Sequence, residues 1–184
     1  MKVVVAITGA SGSIYGQRLI ELLEQGGQEV SVVLSDYGFQ VVKHELGSLR
    51  TSASTTVYNN RSMNAPFASG SALYDAMVVA PCSMGTLSRI AVGTAEDLIL
   101  RAADVFLKER RKLILVPRET PLNLVHARNL VAAIEIGALV IPAMPHFYSK
   151  PATLAEAVDT VVARILDALG APNPVARRWG EDRH

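Results

Sequence analysis

The sequence predicts an α/β fold in one domain, a doubly wound parallel sheet covered by helices on both faces to make three layers. Three observations lead there. Apolar runs of strand length alternate with amphipathic helical patterns, the order in which crossovers join parallel strands. The chain opens on a strand that passes through a glycine-rich turn directly into a helix, Val3-Val4-Val5-Ala6-Ile7-Thr8-Gly9-Ala10-Ser11-Gly12-Ser13. Hydrophobic residues fill 49% of 184 positions, a high share for a soluble chain. A sheet buried on both faces, together with subunit interfaces, absorbs that surface.

Each element follows from a local signal. Strands are expected at 2–8, 29–34, 76–81, 112–116 and 138–142, where apolar residues run between polar borders. Helix 13–25 leaves the glycine-rich turn and stops at Gly26-Gly27. Helix 36–46 starts on Asp36, behind Ser35 at the end of the second strand. Helices at 85–92 and 97–111 follow the third long strand, and 121–136 follows the fourth. Helix 153–169 opens on a capping box, Thr153 with Glu156, and stops at Gly170. From 47 to 74, Ser, Thr, Asn and Gly dominate, and so long an irregular stretch in a compact domain is usually functional. Residues 1–170 form the domain. The polar tail 171–184 carries Trp179, expected to dock on another surface.

A net charge of +1 gives no electrostatic case for nucleic acid or an anionic membrane. No apolar run approaches a membrane span, and the first residues lack signal-peptide character. The lone cysteine, Cys82, excludes an internal disulfide and fits a reducing, cytoplasmic location. His44, His126, His146 and His184 lack metal-ligand spacing, so no metal is expected.

The chemistry is expected where strands end. The turn Thr8-Gly9-Ala10-Ser11-Gly12 reads as a phosphate cradle, with backbone N–H groups and the helix dipole facing an anion. A dinucleotide site would want G-x-G-x-x-G and an acidic residue ending the second strand. Here the glycines fall at Gly9, Gly12 and Gly16, and the strand ends in Ser35, which suits a mononucleotide phosphate or a ribityl chain. A second strand-to-helix turn, Pro81-Cys82-Ser83-Met84-Gly85-Thr86, offers donors at Ser83, Gly85 and Thr86; Cys82 reads as buried filler. Arg118 and Glu119 end the fourth strand, where arginine can clamp a phosphate and glutamate can pass a proton. Tyr148 and Lys150 follow the last strand. Arg101 and Lys108 share a helix face that by pattern alone is solvated, and Arg164 reads only as surface charge.

Taken together and in order, these segments resemble the UbiX family of flavin prenyltransferases over nearly the whole chain. The markers include Thr8-Gly9-Ala10-Ser11-Gly12, Ala65-Pro66-Phe67-Ala68-Ser69-Gly70-Ser71, Pro81-Cys82-Ser83-Met84-Gly85-Thr86-Leu87, Arg101-Ala102-Ala103-Asp104-Val105, Lys108-Glu109-Arg110-Arg111, Val116-Pro117-Arg118-Glu119 and Arg177-Arg178-Trp179-Gly180. The resemblance implies a flavodoxin-like, Rossmann-like fold and bound FMN. It implies transfer of a dimethylallyl group from dimethylallyl monophosphate, without metal, to N5 and C6 of reduced FMN. The prenylated FMN would serve a UbiD-type decarboxylase. It further implies that Gly9, Ala10, Ser11, Ser35, Ser83, Met84, Gly85, Thr86 and Arg118 hold FMN. Ser69, Gly70, Arg101, Lys108, Tyr148 and Arg164 would hold the prenyl phosphate. Glu45 and Glu119 would handle protons, with Ser11 near N5 and Lys108 among the catalytic cations. The site would lie between subunits of a dodecamer on which the tail docks. Two positions depart from the pattern: Met63 stands where many relatives are aromatic, and Gly85 where many carry lysine. A flavin-dependent cysteine decarboxylase on the same fold and a non-catalytic flavin-binding subunit are the alternatives. The first would carry a histidine in the early turn and a Pro-x-Met-Asn-type segment, where this chain has no histidine in that turn and reads Asn64-Ala65-Pro66-Phe67-Ala68-Ser69-Gly70-Ser71; the second has no need of Glu45, Glu119 and the basic cluster.

Overall fold

Six parallel strands form one sheet in the order β3-β2-β1-β4-β5-β6. The computed structural model describes residues 1–180. The elements run β1 (Lys2–Ile7), α1 (Ser13–Gln25), β2 (Glu29–Leu34), α2 (Asp36–Leu46), β3 (Thr56–Asn59), β4 (Ala76–Cys82), α3 (Met84–Ala91), α4 (Leu98–Lys108), β5 (Lys112–Pro117), α5 (Leu124–Glu135), β6 (Leu139–Val140) and α6 (Leu154–Leu169). Alternation along each strand divides the core. Val3, Val5, Ile7, Val78, Ile114 and Val116 face α1 and α6. Val4, Ala6, Met77, Val79, Leu113 and Leu115 face α3, α4 and α5. Both faces of β1 are therefore buried, which is why it reads as an unbroken apolar run.

From β1 the chain winds outward through β2 to β3, then returns to place β4 on the other side of β1. The carboxyl ends of β1 and β4 thus border a topological switch point, where open α/β sheets leave a crevice. Thr8 ties the two ends together. Its hydroxyl donates to the Pro81 carbonyl at 2.8 Å and accepts the Ser83 N–H at 2.8 Å. Beyond Val79 the register of β4 on β5 shifts, and the strand turns toward Ser83.

Several boundaries differ from expectation. β3 was not expected: Thr56, Val57 and Asn59 are exposed, and among the described residues this edge strand pairs only with β2. β6 keeps two residues, paired to β5 at Ile114↔Leu139 and Leu115↔Val140. α4 is shorter than 97–111 because Asp97 is its cap, accepting the Leu100 N–H, and Arg110 breaks it at φ 54°. α5 starts three residues late because Asn123 caps it through the His126 N–H.

Two of the anchors of the irregular stretch are a capping asparagine and a buried ring. Asn60 presents its backbone and side-chain oxygens to the N–H groups of Leu98 and Ile99, closing the start of α4. Phe67, fully buried, stands edge-on between Tyr58 and Tyr74 at 5.0 and 5.5 Å. The tail, as far as 180, folds back on its own chain. Asn173 donates to the Ala163 carbonyl and to Asp167, and Trp179 meets Tyr148 edge-on at 5.3 Å. Trp179 remains 74% exposed. Residues 181–184, the rest of the expected tail, and with them His184, lie outside the described residues.

Candidate active site

Three helix starts converge at the carboxyl edge. Gly12 precedes α1 in the left-handed region at φ 108°, a conformation glycine adopts without a Cβ penalty. At Gly9 a Cβ would lie 2.6 Å from Tyr37 Cβ, so only glycine lets this turn pass under the start of α2. Ser35 caps α2, its oxygen accepting the Gly38 N–H at 2.9 Å while its own O–H stays available as a donor. Ser83 caps α3 in the same way through the Thr86 N–H and donates to the Thr86 hydroxyl at 3.1 Å.

The phosphate-cradle reading of the first turn needs correction. The N–H groups of Gly12 and Ser13 and the Ser13 hydroxyl all donate to the Glu45 carboxylate, the last two at 2.8 and 2.7 Å. The anion at the start of α1 is the chain's own. Burial alone would raise the Glu45 pKa. The Ser13 and Ser11 hydroxyls and the two N–H groups outweigh it and hold the carboxyl below its ordinary 4.5. For a ligand there remain Gly9, Ala10 and Ser11, ahead of the capped groups, and the starts of α2 and α3.

Arg118 crosses from the end of β5 to the first turn, its Nε donating to the Ser11 carbonyl at 3.0 Å. Its terminal guanidinium nitrogens make no hydrogen bond or ion pair among the described residues. At Gly85 nothing beyond its chain neighbours and its own helix turn lies within 4 Å of where a Cβ would stand. Open space therefore adjoins the Ser83–Thr86 donors, and a lysine at 85 would find room. The Ser35 O–H after β2, the Thr86 O–H near the start of α3, a guanidinium and free volume at the switch point fit a mononucleotide with a planar ring. Among the described residues no cluster of His, Cys, Asp or Glu is arranged to hold a metal ion.

Glu119 is exposed, and its carboxylate accepts the Thr120 N–H at 3.0 Å. Tyr148, on the loop after β6, stacks on His146 at 3.9 Å, and its hydroxyl donates to the Arg177 carbonyl. The His146 N–H bonds to the Thr160 hydroxyl at 3.3 Å, which brings this loop to α6 one turn before Arg164, and burial and Arg164 lower the His146 pKa. Glu45, Glu119, Tyr148 and the flavin-side residues thus share one edge.

Ser69, Gly70, Arg101 and Lys108 form a separate group. Arg101 donates to the Ala68 carbonyl at 3.2 Å, and Gly70 lies against the Lys108–Glu109 ion pair. Lys108 ends α4 just before β5 begins, and Asp75, close behind Gly70 in sequence, bonds to Lys2 at the start of β1. Lys108 and Gly70 therefore sit by the amino edge, about 20 Å from the glycine-rich turn over a six-residue strand. One copy of the chain does not bring all the expected residues together. Sequence reading also passed over Arg111, whose guanidinium holds the carbonyls of Gly70 and Ala72; nothing in the sequence joins positions so far apart.

The model of the flavoprotein family matches residues 1–170. A flavin prenyltransferase UbiX from Methanocaldococcus jannaschii is 45% identical over 184 residues, covering 98% of this chain and 99% of the relative. The crystal structure of AnUbiX in complex with FMN and dimethylallyl pyrophosphate superposes with a TM-score of 0.92 at 39% identity, covering 97% and 96% of the two chains. A dodecameric FMN-dependent UbiX-like decarboxylase from Escherichia coli O157:H7 gives a TM-score of 0.90 at 41% identity, covering 97% and 99%.

Proposed function

The chain belongs to the UbiX family of flavin prenyltransferases, within the flavoprotein family, and we propose that it moves a dimethylallyl group from dimethylallyl monophosphate to N5 and C6 of reduced FMN. One observation carries this reading beyond the similarity. Ser11, Ser83 and Arg118 converge on the switch point beside open space, while Glu45, bonded to Gly12 and Ser13, supplies a carboxylate next to the same turn.

Bound there, reduced FMN supplies the nucleophilic N5 and C6. Gly9, Ala10, Ser11, Ser35, Ser83, Met84, Gly85 and Thr86 would hold it through backbone and hydroxyl donors, with Arg118 on its phosphate. Glu45, whose donors favour its ionised form, would accept a proton from the flavin side by way of the Ser11 hydroxyl. Tyr148 and Arg164 would meet the prenyl phosphate from this edge. Ser69, Gly70, Arg101 and Lys108 would meet it from a neighbouring copy. Cations grouped around the leaving phosphate oppose the charge that grows as its C–O bond breaks. Glu119 would pass a proton to that phosphate. The assembly would be a dodecamer, as in the Escherichia coli relative, with the tail docking between copies. Prenylated FMN would pass to a UbiD-type decarboxylase in the cytoplasm.

The test is anaerobic incubation with reduced FMN and dimethylallyl monophosphate, followed by mass analysis of the released flavin. A flavin heavier by one prenyl unit is expected. Unaltered FMN, bound but not converted, would overturn the reading in favour of a flavin-binding subunit.

A further inference from the structure

The chain leaves α4 by a Schellman turn. The Arg111 N–H bonds to the Phe106 carbonyl at 2.8 Å and the Arg110 N–H to the Leu107 carbonyl at 3.0 Å, with Arg110 left-handed at the bend. This turn aims the Arg111 side chain at the 66–72 loop. Its Nη1 donates to the Ala72 carbonyl at 2.7 Å and its Nη2 to the Gly70 carbonyl at 2.6 Å. Arg101 takes the Ala68 carbonyl with Nε. Three alternate carbonyls of one short loop thus point at two arginines of α4 and its exit.

Two consequences follow. With three of its carbonyl oxygens turned to cations, the loop keeps a Ser69–Ser71 hydroxyl pair bonded at 2.9 Å, and the O–H not used within that pair is left to donate to another acceptor. The loop is also set tightly against Lys108: a Cβ on Gly70 would lie 2.8 Å from the Lys108 Nζ. Both terminal nitrogens of Arg111 are committed to carbonyls, so this guanidinium acts through the loop.

We propose that Arg111 is a positioning residue for the prenyl-phosphate subsite, its fork fixing the Ser69–Gly70 backbone against Arg101 and Lys108 so that a preformed anion site is offered to the neighbouring copy. The proposal rests on the reading above that these four residues hold the donor phosphate. A lysine cannot reproduce the fork, because a single ammonium has no fixed two-pronged geometry.

The experiment measures anaerobic prenyl transfer against dimethylallyl monophosphate concentration for the wild type, Arg111→Lys and Arg111→Ala, with FMN affinity measured in parallel. The expected result for Arg111→Lys is a KM for the prenyl donor raised about tenfold, with kcat within about twofold and FMN affinity unchanged. Added guanidinium should lower the KM of Arg111→Ala. If Arg111→Ala does not fold, Arg111→Lys decides. An unmoved donor KM in Arg111→Lys, or equal loss of donor and FMN affinity, would overturn the positioning role. An inactive wild type would overturn the proposed function and this inference with it. An active wild type beside an unaffected variant removes Arg111 alone.

Discussion

The Glu45 carboxylate closes the amino end of α1, accepting the Ser13 N–H at 2.8 Å and the Ser13 hydroxyl at 2.7 Å. A residue near the end of α2 thereby supplies the negative charge that the start of α1 favours. The same contact fixes the glycine-rich turn and keeps a proton acceptor beside Ser11, so the fold and the proposed chemistry depend on one interaction.

Glu45→Ala should cost about 1 kcal/mol near neutral pH, the usual worth of a lost helix cap. Folding lowers the Glu45 pKa below 4.5. The stabilisation is therefore complete above the unfolded value and is lost as pH falls through the lower folded value. Thermal melts at fixed protein concentration should show the gap between variant and wild type closing below about pH 4. A gap constant with pH would show that the ionised carboxylate does not cap the helix.

Cys82 is fully buried, and its thiol pKa is pushed up to about 12 by burial, against a smaller opposing pull from the Leu87 N–H. Thiolate is the reactive form, so native protein at pH 8 should not react with a thiol reagent, whereas denatured protein should take up one equivalent. Rapid labelling of the native chain would contradict its placement as core filler.

Arg110 holds a left-handed conformation at φ 54° in the turn that ends α4. Glycine avoids the Cβ clash there at some cost in unfolded-chain entropy, so Arg110→Gly should stabilise the protein by about 0.5–1 kcal/mol. Thermal denaturation checks this. A lower midpoint would mean that the Arg110 side chain contributes more than the backbone strain costs.

The elements that the sequence reveals are those with a local cause. β1 and the glycine-rich turn declare themselves through an apolar run and spacing, and α6 through Thr153, whose hydroxyl does accept the Glu156 N–H. β3 stays hidden because it is short and its residues are mostly exposed, so no apolar run marks it. Asn123, two residues past the proline taken as the start of α5, shows how a cap overrides a helical pattern. In the site, Ser35, Ser83 and Arg118 are legible because each directly follows a strand. The Glu45 contact with Ser13 and the Arg111 grip on Gly70 join distant positions, and only the packed chain reveals them.

Lys108 and Glu119 lie toward opposite edges of one sheet, so a site that uses both is divided between copies of the chain. Lys108→Ala and Glu119→Gln should each fold, assemble and bind FMN while barely prenylating it. Removal of a cation facing a developing phosphate costs about 2–4 kcal/mol of transition-state stabilisation. Loss of an exposed pair such as Lys108–Glu109 alone would leave activity intact. The most direct measurement is prenylated flavin formed by oligomers co-assembled from the two variants in equal amounts. The account predicts recovery toward about a quarter of wild-type activity, because random mixing across a shared interface leaves that share of sites with both residues intact. No recovery in the mixed oligomers, or full activity of Lys108→Ala alone, would contradict it.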